Sequence, residues 1–384
     1  MTIPKTADIV IIGGGVMGAS TLYHLTLRGF NNIVLLEKDE FFGQGATGRC
    51  AGGVRYQFST PINVELSKHS LPMLEQFKHE TGQDIDYRKC GYLFVLTNKI
   101  DDEYFSRNVQ MQNKLGVDTV RLTADQVHAL VPMMHFPDAI SGSFNQNDGL
   151  VDPNGVVMGY VDAALRKGAK VESKTSVIGL LVDHNKISGV QTDLGEISSP
   201  VVINAAGPWS AQIGEMAGLK IPVTPVRRQM FTTSKLPDLP KDFPFVIDFA
   251  QSLYFHREGE GLLSGMSNPN QLPGFDQNVD ESFELVNLDA AISRLPMLEK
   301  ASMVSHWAGL YEITPDSHPI FGKTPIDGFL LVTGFSGHGF MHGPIAGKLI
   351  SEYVLDGHFS TMDVSMLDLA RFDEGRSIKE YNVV

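Results

Sequence analysis

Three glycines near the start of the chain constrain its fold more than any other feature. Gly13, Gly15 and Gly18 form the pattern G-x-G-x-x-G between an apolar run, ADIVII, and a helical pattern, GVMGASTLYHLTLRG. A second apolar run, NIVLLE, follows, so the segment predicts a strand-helix-strand unit of about 30 residues. Glycines at these positions allow a tight turn and a close backbone approach to a pyrophosphate at the helix N-terminus. The segment therefore predicts the opening of an α/β domain that binds a dinucleotide.

The residues after this unit indicate which dinucleotide it is. Glu37 ends the second predicted strand, where a carboxylate can accept hydrogen bonds from ribose hydroxyls. The stretch from 43 to 53 then holds five glycines in eleven residues, which lets a second piece of backbone lie against a cofactor. Thr47 and Arg49 could hydrogen-bond its phosphates or sit beside its ring. A flavin fits this pattern better than NAD, and a flexible surface loop is the alternative that composition leaves open.

A second glycine-rich loop, GFSGHGFMHGP, precedes the helical run IAGKLISEYVLDG. Because proline is tolerated in the first turn of a helix, Pro344 predicts that the helix begins there. The loop would then present unpaired backbone N–H groups to developing negative charge, as on the pyrimidine end of a reduced flavin. His338 and His342 are spaced i, i+4, but no carboxylate or cysteine accompanies them at ligand spacing, so we predict no metal site.

The rest of the chain contains two kinds of segment. VDPNGVVMGYVDAALRKG predicts a helix that Asp152 caps and Pro153 begins. Elsewhere, strand signals punctuated by proline and glycine, such as YLFVLT, MFTTS and SLYFHREGEGLLSG, predict an antiparallel sheet. We therefore expect an α/β fold with a discontinuous nucleotide-binding domain and an inserted antiparallel-sheet domain that binds substrate. The first should comprise residues 1 to 85, 147 to 222 and 316 to 384, and the second residues 86 to 146 and 223 to 315.

Composition excludes several classes of partner. The 384 residues carry 31 basic and 44 acidic side chains, a net charge of −13, without a basic run suited to nucleic acid. Cys50 and Cys90 are too few for a disulfide framework, which favours a reducing compartment. The N-terminal run lacks a signal-peptide pattern, and no segment approaches 18 apolar residues. We predict a cytoplasmic protein without a membrane span.

Five motifs give the chain a family resemblance. DIVIIGGGVMGASTLYHL, GATGRCAGGVRYQF, VVINAAGPWS, WAGLYEITPDSHPIFG and GFSGHGFMHGP occur in the order found in the D-amino-acid oxidase superfamily of FAD amine oxidoreductases. Within it the chain most resembles the β subunits of heteromeric L-proline dehydrogenase and sarcosine oxidase, from about Ala7 to Phe372. The resemblance implies a Rossmann-like FAD-binding domain of the glutathione-reductase type, with the inserted sheet roofing the substrate pocket.

The resemblance also implies a set of FAD-binding residues, with residues 336 to 341 over the flavin ring. The set is Gly13, Gly15, Val16, Met17, Gly18, Glu37, Lys38, Gly45, Ala46, Thr47, Arg49, Cys50, Ala51, Gly52, Gly53, Val177, Ala206, Gly207, Trp209, Gly309, Ser336, Gly337, His338, Gly339, Phe340 and Met341.

Three departures from relatives refine this expectation. Gly309 stands where monomeric sarcosine oxidases attach FAD through a cysteine, so we expect non-covalent FAD. Met341 stands where those enzymes hold the substrate carboxylate with a lysine, so carboxylate recognition must come from elsewhere. Pro153 stands where heterotetrameric sarcosine oxidases link a histidine to FMN. Any FMN would therefore be non-covalent and confined to an interface with partner subunits.

Five residues are candidates for direct work on the substrate. Arg55 could anchor a carboxylate or tune the flavin, or form an ion pair that structures its loop. Tyr254 and His256 lie on one face of a predicted strand of the inserted sheet, where a plain aromatic face is the alternative. Tyr311 occupies the place of a carboxylate-binding arginine in glycine oxidases. His338 could polarise the ring or substrate, or be a satisfied loop histidine.

Two further residues near these candidates have narrower predicted roles. Glu312, beside the tyrosine at 311, could meet a cationic amine. Cys50 is interpreted as a small packed residue, because nothing marks it as having the lowered pKa of a reactive thiol.

The resemblance implies hydride transfer from the carbon beside nitrogen to FAD, which gives an imine. The leading hypothesis is a dehydrogenase or oxidase of a secondary or N-methylated amino acid, such as proline or sarcosine. Oxidation of a 2-hydroxy acid is the second hypothesis, and a flavoprotein subunit or assembly factor with little activity alone is the third. The acceptor would be oxygen or a partner redox protein, and further subunits or a homo-oligomer are compatible with the sequence.

Overall fold

The structure is a computed structural model that describes residues 3 to 384. Its strands are β1 (Ile9–Ile12), β2 (Ile33–Leu36), β3 (Gly53–Val54), β4 (Tyr92–Leu96), β5 (Val120–Thr123), β6 (Ser141–Asn145), β7 (Gly149–Leu150), β8 (Lys170–Glu172), β9 (Val177–Asp183), β10 (Lys186–Thr192), β11 (Gly195–Ser198), β12 (Val201–Asn204), β13 (Thr224–Thr233), β14 (Phe245–Asp248), β15 (Leu253–Glu258), β16 (Gly261–Met266), β17 (Met303–Ile313), β18 (Ile320–Lys323) and β19 (Phe329–Thr333). Its helices are α1 (Val16–Leu27), α2 (Pro61–Glu75), α3 (Phe77–Thr81), α4 (Lys99–Lys114), α5 (Ala124–Leu130), α6 (Pro153–Leu165), α7 (Ser210–Glu215), α8 (Glu281–Arg294) and α9 (Gly339–Asp356). Short 3₁₀ helices lie at Thr47–Arg49, Gly207–Trp209, Pro296–Lys300, Ser365–Leu367 and Leu369–Phe372.

The glycine-rich N-terminal segment forms the predicted strand-helix-strand unit. Strands β1 and β2 pair in parallel at the centre of a six-stranded sheet of order β18-β19-β12-β1-β2-β8. Only β18 runs antiparallel to its neighbour. Gly18 lies in the first turn of α1, where a Cβ atom would lie 1.9 Å from the carbonyl oxygen of Gly13. Any larger residue there would push α1 off the strand, which explains the third glycine of the pattern.

The inserted segments build a second, larger sheet. Eight strands lie in the order β17-β13-β16-β15-β14-β4-β6-β5, and all neighbours are antiparallel except β14 and β4. The predicted fold, an α/β sheet with an inserted antiparallel sheet, is therefore confirmed, with one parallel pair inside the second sheet. Its strands all fall within the two segments expected for the inserted domain, and the domain boundaries themselves stay a prediction.

The two faces of the eight-stranded sheet have different neighbours. One face presents Val246, Phe255 and Leu262 to a buried core shared with Ala291 of α8 and other apolar side chains. The other face presents a second buried cluster that includes Tyr254 and Met230. Because successive side chains of a strand point to opposite faces, one face can be covered by helices while the other lines a site.

Helix α6 confirms its sequence signature. It begins at Pro153, and the Asp152 carboxylate accepts a hydrogen bond from the backbone N–H of Asn154 at 2.9 Å. Across residues 3 to 384, none of the helices is long and apolar enough to cross a membrane.

The prediction that α9 begins at Pro344 is wrong. The helix begins at Gly339, and Pro344 lies inside it. Proline has no N–H to donate to the preceding turn, and a side chain from α2 contacts the backbone around it. The Ser70 hydroxyl donates to the carbonyl of Met341 at 2.6 Å and accepts from the N–H of Ile345 at 3.5 Å. The buried serine thus bonds to backbone groups on both sides of Pro344.

Candidate active site

A cavity of about 230 Å³ runs from the glycine-rich turn after β1 to the N-terminal end of α9. It passes the end of β2 and the 3₁₀ turn that follows β12. The predicted cofactor residues that line it are Gly13, Gly15, Val16, Met17, Glu37, Lys38, Gly45, Ala46, Thr47, Cys50, Val177, Ala206, Gly207, Trp209, Gly337, Gly339 and Phe340. We call it the long cavity.

The end of the long cavity beside β2 is built to hold hydroxyl groups. Glu37 is buried, and its two carboxylate oxygens accept the backbone N–H groups of Gly14 at 2.7 Å and Asp39 at 2.8 Å. These bonds fix the carboxylate and leave lone pairs for further donors. Lys38 places its ammonium 3.4 Å from the centre of the Trp209 ring, where burial lowers its pKa. Glu37, the predicted acceptor for ribose hydroxyls, therefore lines the long cavity, and its role in binding ribose stays a prediction.

A second cavity, of about 100 Å³, adjoins the first under the eight-stranded sheet. Its predicted cofactor residues are Ala46, Arg49, Cys50, Ala51, Gly52, Gly53, Gly309, Ser336, Gly337, His338, Phe340 and Met341. The two cavities share Ala46, Cys50, Leu310, Tyr311, Gly337 and Phe340. We call the second one the small cavity.

Arg49 and Arg55 both line the small cavity, and both are held by backbone carbonyls. Arg49 donates to Ala308 at 2.8 Å and to Gln44 at 3.2 Å, so its guanidinium lies by strand β17 and away from the long cavity. Arg55 is buried and donates to the carbonyls of Gln57 and Asn382. It forms no ion pair with any residue from 3 to 384, so its charge is met by peptide dipoles and by the ring of Phe58, 4.0 Å away.

Tyr254 and Tyr311 extend into the small cavity from the eight-stranded sheet, which we call the roofing sheet. The Tyr311 hydroxyl donates to the carbonyl of Val384 at 3.0 Å, and its ring lies against Gly337 of the loop before α9. Tyr254 lies across Gly265 of the neighbouring strand. Burial raises the pKa of both phenols, so both remain neutral donors at ordinary pH.

His338 caps α9 directly at the small cavity. Its ring is 5.2 Å from that of His342 and 5.2 Å from that of Phe58, and neither of its nitrogens has a hydrogen-bond partner in the described chain. Burial holds its pKa well below the usual range, so the imidazole is neutral. His342 accepts or donates one bond with Ser67 at 2.9 Å, and burial lowers its pKa to about 3. Residues 3 to 384 contain no group of three or more potential metal ligands.

Three of the predicted residues lie outside both cavities or do other work. His256 shares its face with Tyr254 but stacks on Phe245 at 5.1 Å and lines neither cavity. Gly18 lies behind the turn, against the backbone of Gly13. The Glu312 carboxylate lines the long cavity but accepts bonds from Thr333 at 3.1 Å and the N–H of Phe335 at 3.2 Å. It therefore holds the loop before α9 instead of facing an amine.

Sequence reasoning missed part of the wall of the small cavity. Arg228 of β13 and Tyr92 of β4 line it, and so do Val383 and Val384 at the far end of the chain. Alternation along RRQMFTT could have placed residues 228 and 230 on one face of a strand, but it could not show that this face meets the cavity. No local sequence pattern links the last residues to this pocket, whose other lining residues lie between positions 46 and 341.

Comparison with known proteins agrees with this geometry. The family described as FAD dependent oxidoreductase matches residues 8–353. The chain belongs to this family. It is 30% identical to human mitochondrial sarcosine dehydrogenase over 98% of the chain, and it spans 43% of that enzyme's length. Mouse mitochondrial dimethylglycine dehydrogenase is 29% identical over 95% of the chain, which spans 44% of its length.

Among solved structures, L-proline dehydrogenase from P. horikoshii superposes with a TM-score of 0.91 at 31% identity, over 98% of this chain and all of that one. The predicted membership of the D-amino-acid oxidase superfamily is confirmed.

The residues of the long cavity fit FAD, the cofactor of the family. The glycine turn, the fixed Glu37 carboxylate and the start of α9 offer a cradle for pyrophosphate, a ribose acceptor and backbone donors for the ring. At Gly309 a Cβ atom would lie 2.9 Å from the Cβ of Arg49. A cysteine at this position would collide with the arginine, which supports the prediction that FAD binds without a covalent bond.

Proposed function

We propose that this protein oxidises a small secondary or N-methylated amino acid, of the proline or sarcosine kind, by hydride transfer to FAD. The observation that carries the proposal is the small cavity, which shares its wall with the end of the long cavity where the flavin ring would lie. A substrate held there is in direct reach of the cofactor and under the roof of the eight-stranded sheet. The names of the similar enzymes, which act on sarcosine, dimethylglycine and proline, support the same class.

The charges around the small cavity suit such a substrate. Burial raises the pKa of Cys50 to about 12 and keeps the tyrosines and His338 neutral. Among the lining side chains, the arginines then carry the charge, and that charge is positive. A positive field attracts a carboxylate and disfavours an ammonium ion beside it. A bound amino acid is therefore held with its amine uncharged, the form whose lone pair assists loss of a hydride from the neighbouring carbon.

FAD, when bound, supplies the hydride acceptor. The chain positions the substrate and supplies the positive electrostatic field around it. The roofing tyrosines close the cavity, and the backbone donors at the start of α9 face the place where negative charge develops. No side chain of the cavity needs to take a proton from carbon, because the hydrogen leaves with its electron pair.

The test is anaerobic bleaching of the flavin absorbance of the FAD-loaded protein. The panel contains sarcosine, dimethylglycine, glycine, both prolines and lactate. We expect rapid bleaching by one of the secondary or N-methylated amino acids and none by lactate. Bleaching by lactate alone would replace the proposal with 2-hydroxy-acid oxidation. A flavin that no panel member bleaches would contradict the proposal and favour a subunit role.

The same sample then identifies the electron acceptor. Re-oxidation of the bleached flavin in air within one turnover indicates an oxidase. Slow re-oxidation in air with fast re-oxidation by a one-electron dye indicates a dehydrogenase that passes electrons to a partner redox protein.

A further inference from the structure

We propose that Arg228 binds the carboxylate of the substrate, which makes this a site for α-amino acids and excludes simple amines. The inference rests on the proposed function and names the group that recognises its substrate class. It is carried by the position of Arg228, by its unused hydrogen-bond donors and by the aromatic surface beneath it.

The register of the roofing sheet puts Arg228 over the substrate space. Residue 228 of β13 lies opposite Gly309 of β17, which has no side chain to cover it. Two residues further along the same face, Met230 also lines the small cavity. Arg228 therefore enters the cavity from the roof, across from the loop that begins α9.

In residues 3 to 384, two of the three guanidinium nitrogens of Arg228 have no hydrogen-bond partner. Only Nη1 has a partner in residues 3 to 384, the carbonyl of Arg227 at 3.0 Å. Nε is buried without any partner, and no carboxylate lies within ion-pair distance. A buried donor left unpaired costs about 1 to 3 kcal/mol, and more when the group is charged. A ligand carboxylate would remove that cost with two parallel bonds to the planar fork.

The other two arginines of the cavity each have only one guanidinium nitrogen without a partner in residues 3 to 384. Nε and Nη1 of Arg49 donate to the backbone carbonyls of Gln44 and Ala308. Both terminal nitrogens of Arg55, Nη1 and Nη2, donate to backbone carbonyls. They contribute positive charge, but their donors are directed to the protein. Arg228 is thus the arginine of the cavity that has two adjacent nitrogens, Nε and Nη2, without a partner in residues 3 to 384.

The surroundings orient the free edge of the guanidinium. Its carbon lies 5.1 Å from the centre of the Tyr311 ring, a distance at which a cation and an aromatic face attract each other. Tyr254 lines the same cavity. A carboxylate bound at the arginine would find the hydroxyl of Tyr254 nearby, whereas the hydroxyl of Tyr311 already donates to Val384. The amine-bearing carbon of the same ligand would then point from the roof towards the long cavity.

The test measures binding without turnover. Perturbation of the flavin absorbance of FAD-loaded protein reports the binding of tetrahydro-2-furoate, which has the shape of proline without its amine, and of the uncharged tetrahydro-2-furamide. We expect Arg228→Gln to weaken binding of the acid by about 10- to 100-fold and to leave binding of the amide unchanged. Arg228→Lys should restore part of the acid's affinity.

The neighbouring arginine is the matched control. Arg227 points to the other face, where it pairs with Asp276 at 2.9 Å and Asp280 at 3.4 Å. Arg227→Gln should leave the preference for acid over amide as it is. Equal losses for acid and amide in Arg228→Gln, an unchanged affinity for the acid, or failure of the unmodified protein to bind the acid would each overturn the inference.

The two proposals can fail separately. If no amine bleaches the flavin but the acid needs Arg228, the proposed function is wrong and the carboxylate site stands. If an amino acid bleaches the flavin and Arg228→Gln binds the acid as before, the function stands and the carboxylate is held elsewhere.

Discussion

Tyr254 can lie across the roofing sheet because the next strand offers it a glycine. In the register of β15 and β16, Tyr254 is opposite Gly265, and Gly265 is in turn opposite Met230 of β13. A Cβ atom on residue 265 would lie 2.2 Å from the tyrosine hydroxyl oxygen and 2.3 Å from the ring carbon that carries it. The phenol therefore rests on the bare backbone of β16 and extends towards β13.

We predict that Gly265→Ala displaces Tyr254 and weakens substrate binding about tenfold while FAD binding is unchanged, since overpacking forces the ring to move at a cost of about 1 to 3 kcal/mol. The measurement is the substrate dependence of flavin bleaching, together with the melting temperature. Tyr254→Phe is the control, because it removes the hydroxyl and keeps most of the ring's packing. If Gly265→Ala binds substrate as the unmodified protein does, the ring does not depend on this glycine.

The pair Arg227 and Arg228 shows what the sequence can decide at this scale. Strand alternation states that two adjacent arginines point to opposite faces. Which of them meets a cavity depends on what packs on each face, and that is set by distant segments. The G-x-G-x-x-G turn was predictable because its geometry is local, whereas the role of Arg228 needed the whole sheet.

At the scale of elements, a side chain of α2 supports the part of α9 that contains Pro344. Ser70 bonds to backbone groups on both sides of Pro344, near the start of the helix whose first residues line the long cavity. We predict that Ser70→Ala lowers the free energy of unfolding by about 1 to 3 kcal/mol and weakens FAD binding, since buried backbone groups lose their partner. Urea unfolding and FAD titration of the apoprotein measure the two effects.

A second substitution tests the cause. Pro344→Ala allows the backbone bonds of α9 to close without help, so Ser70→Ala should cost less in that background. Equal costs in both backgrounds would show that Ser70 acts by packing alone. The sequence pointed to Pro344 as a helix start because proline is common there; a tertiary contact made the interior position tolerable instead.

The segment from 380 to 384 is fastened to the beginning of α2 by one carboxylate. Glu380 accepts bonds from the N–H of Ser59 at 2.8 Å, the hydroxyl of Thr60 at 2.8 Å and the side-chain amide of Asn63 at 3.0 Å. These bonds position Val384 in the wall of the small cavity.

We predict that Glu380→Gln loosens this wall, because an amide offers one acceptor where the carboxylate offers two. The affinity for a carboxylate ligand should fall several-fold, and protease cleavage near residue 380 should become faster. Glu374→Gln is the control, since that side chain is more than half exposed and pairs with Arg376 at the surface. Unchanged cleavage and affinity in Glu380→Gln would contradict the role of the contact.

At the scale of the molecule, each of the two large sheets borders a different cavity. The parallel sheet carries the long cavity at the ends of its strands, and the large sheet roofs the small cavity beside it. Period-two and helical patterns were sufficient to predict both sheets. They could not predict that the last residues close the pocket, because contacts between distant segments leave no periodic signal.

The whole molecule also carries buried histidines that make its stability depend on pH. His24 of α1 packs beside the rings of Tyr23 and Tyr160, and burial lowers its pKa to about 3 from a usual 6.5. Between these values the unfolded chain binds a proton that the folded chain refuses, so stability is lost as pH falls below 6.5. From pH 7 to pH 5 this one residue should cost about 2 kcal/mol. His24→Phe should remove that part of the loss, measured by urea unfolding of the FAD-loaded protein at both pH values, while His184→Gln, at the exposed tip of the β9–β10 hairpin, should not. Identical losses in His24→Phe and the unmodified protein would mean that His24 is protonated in the folded chain.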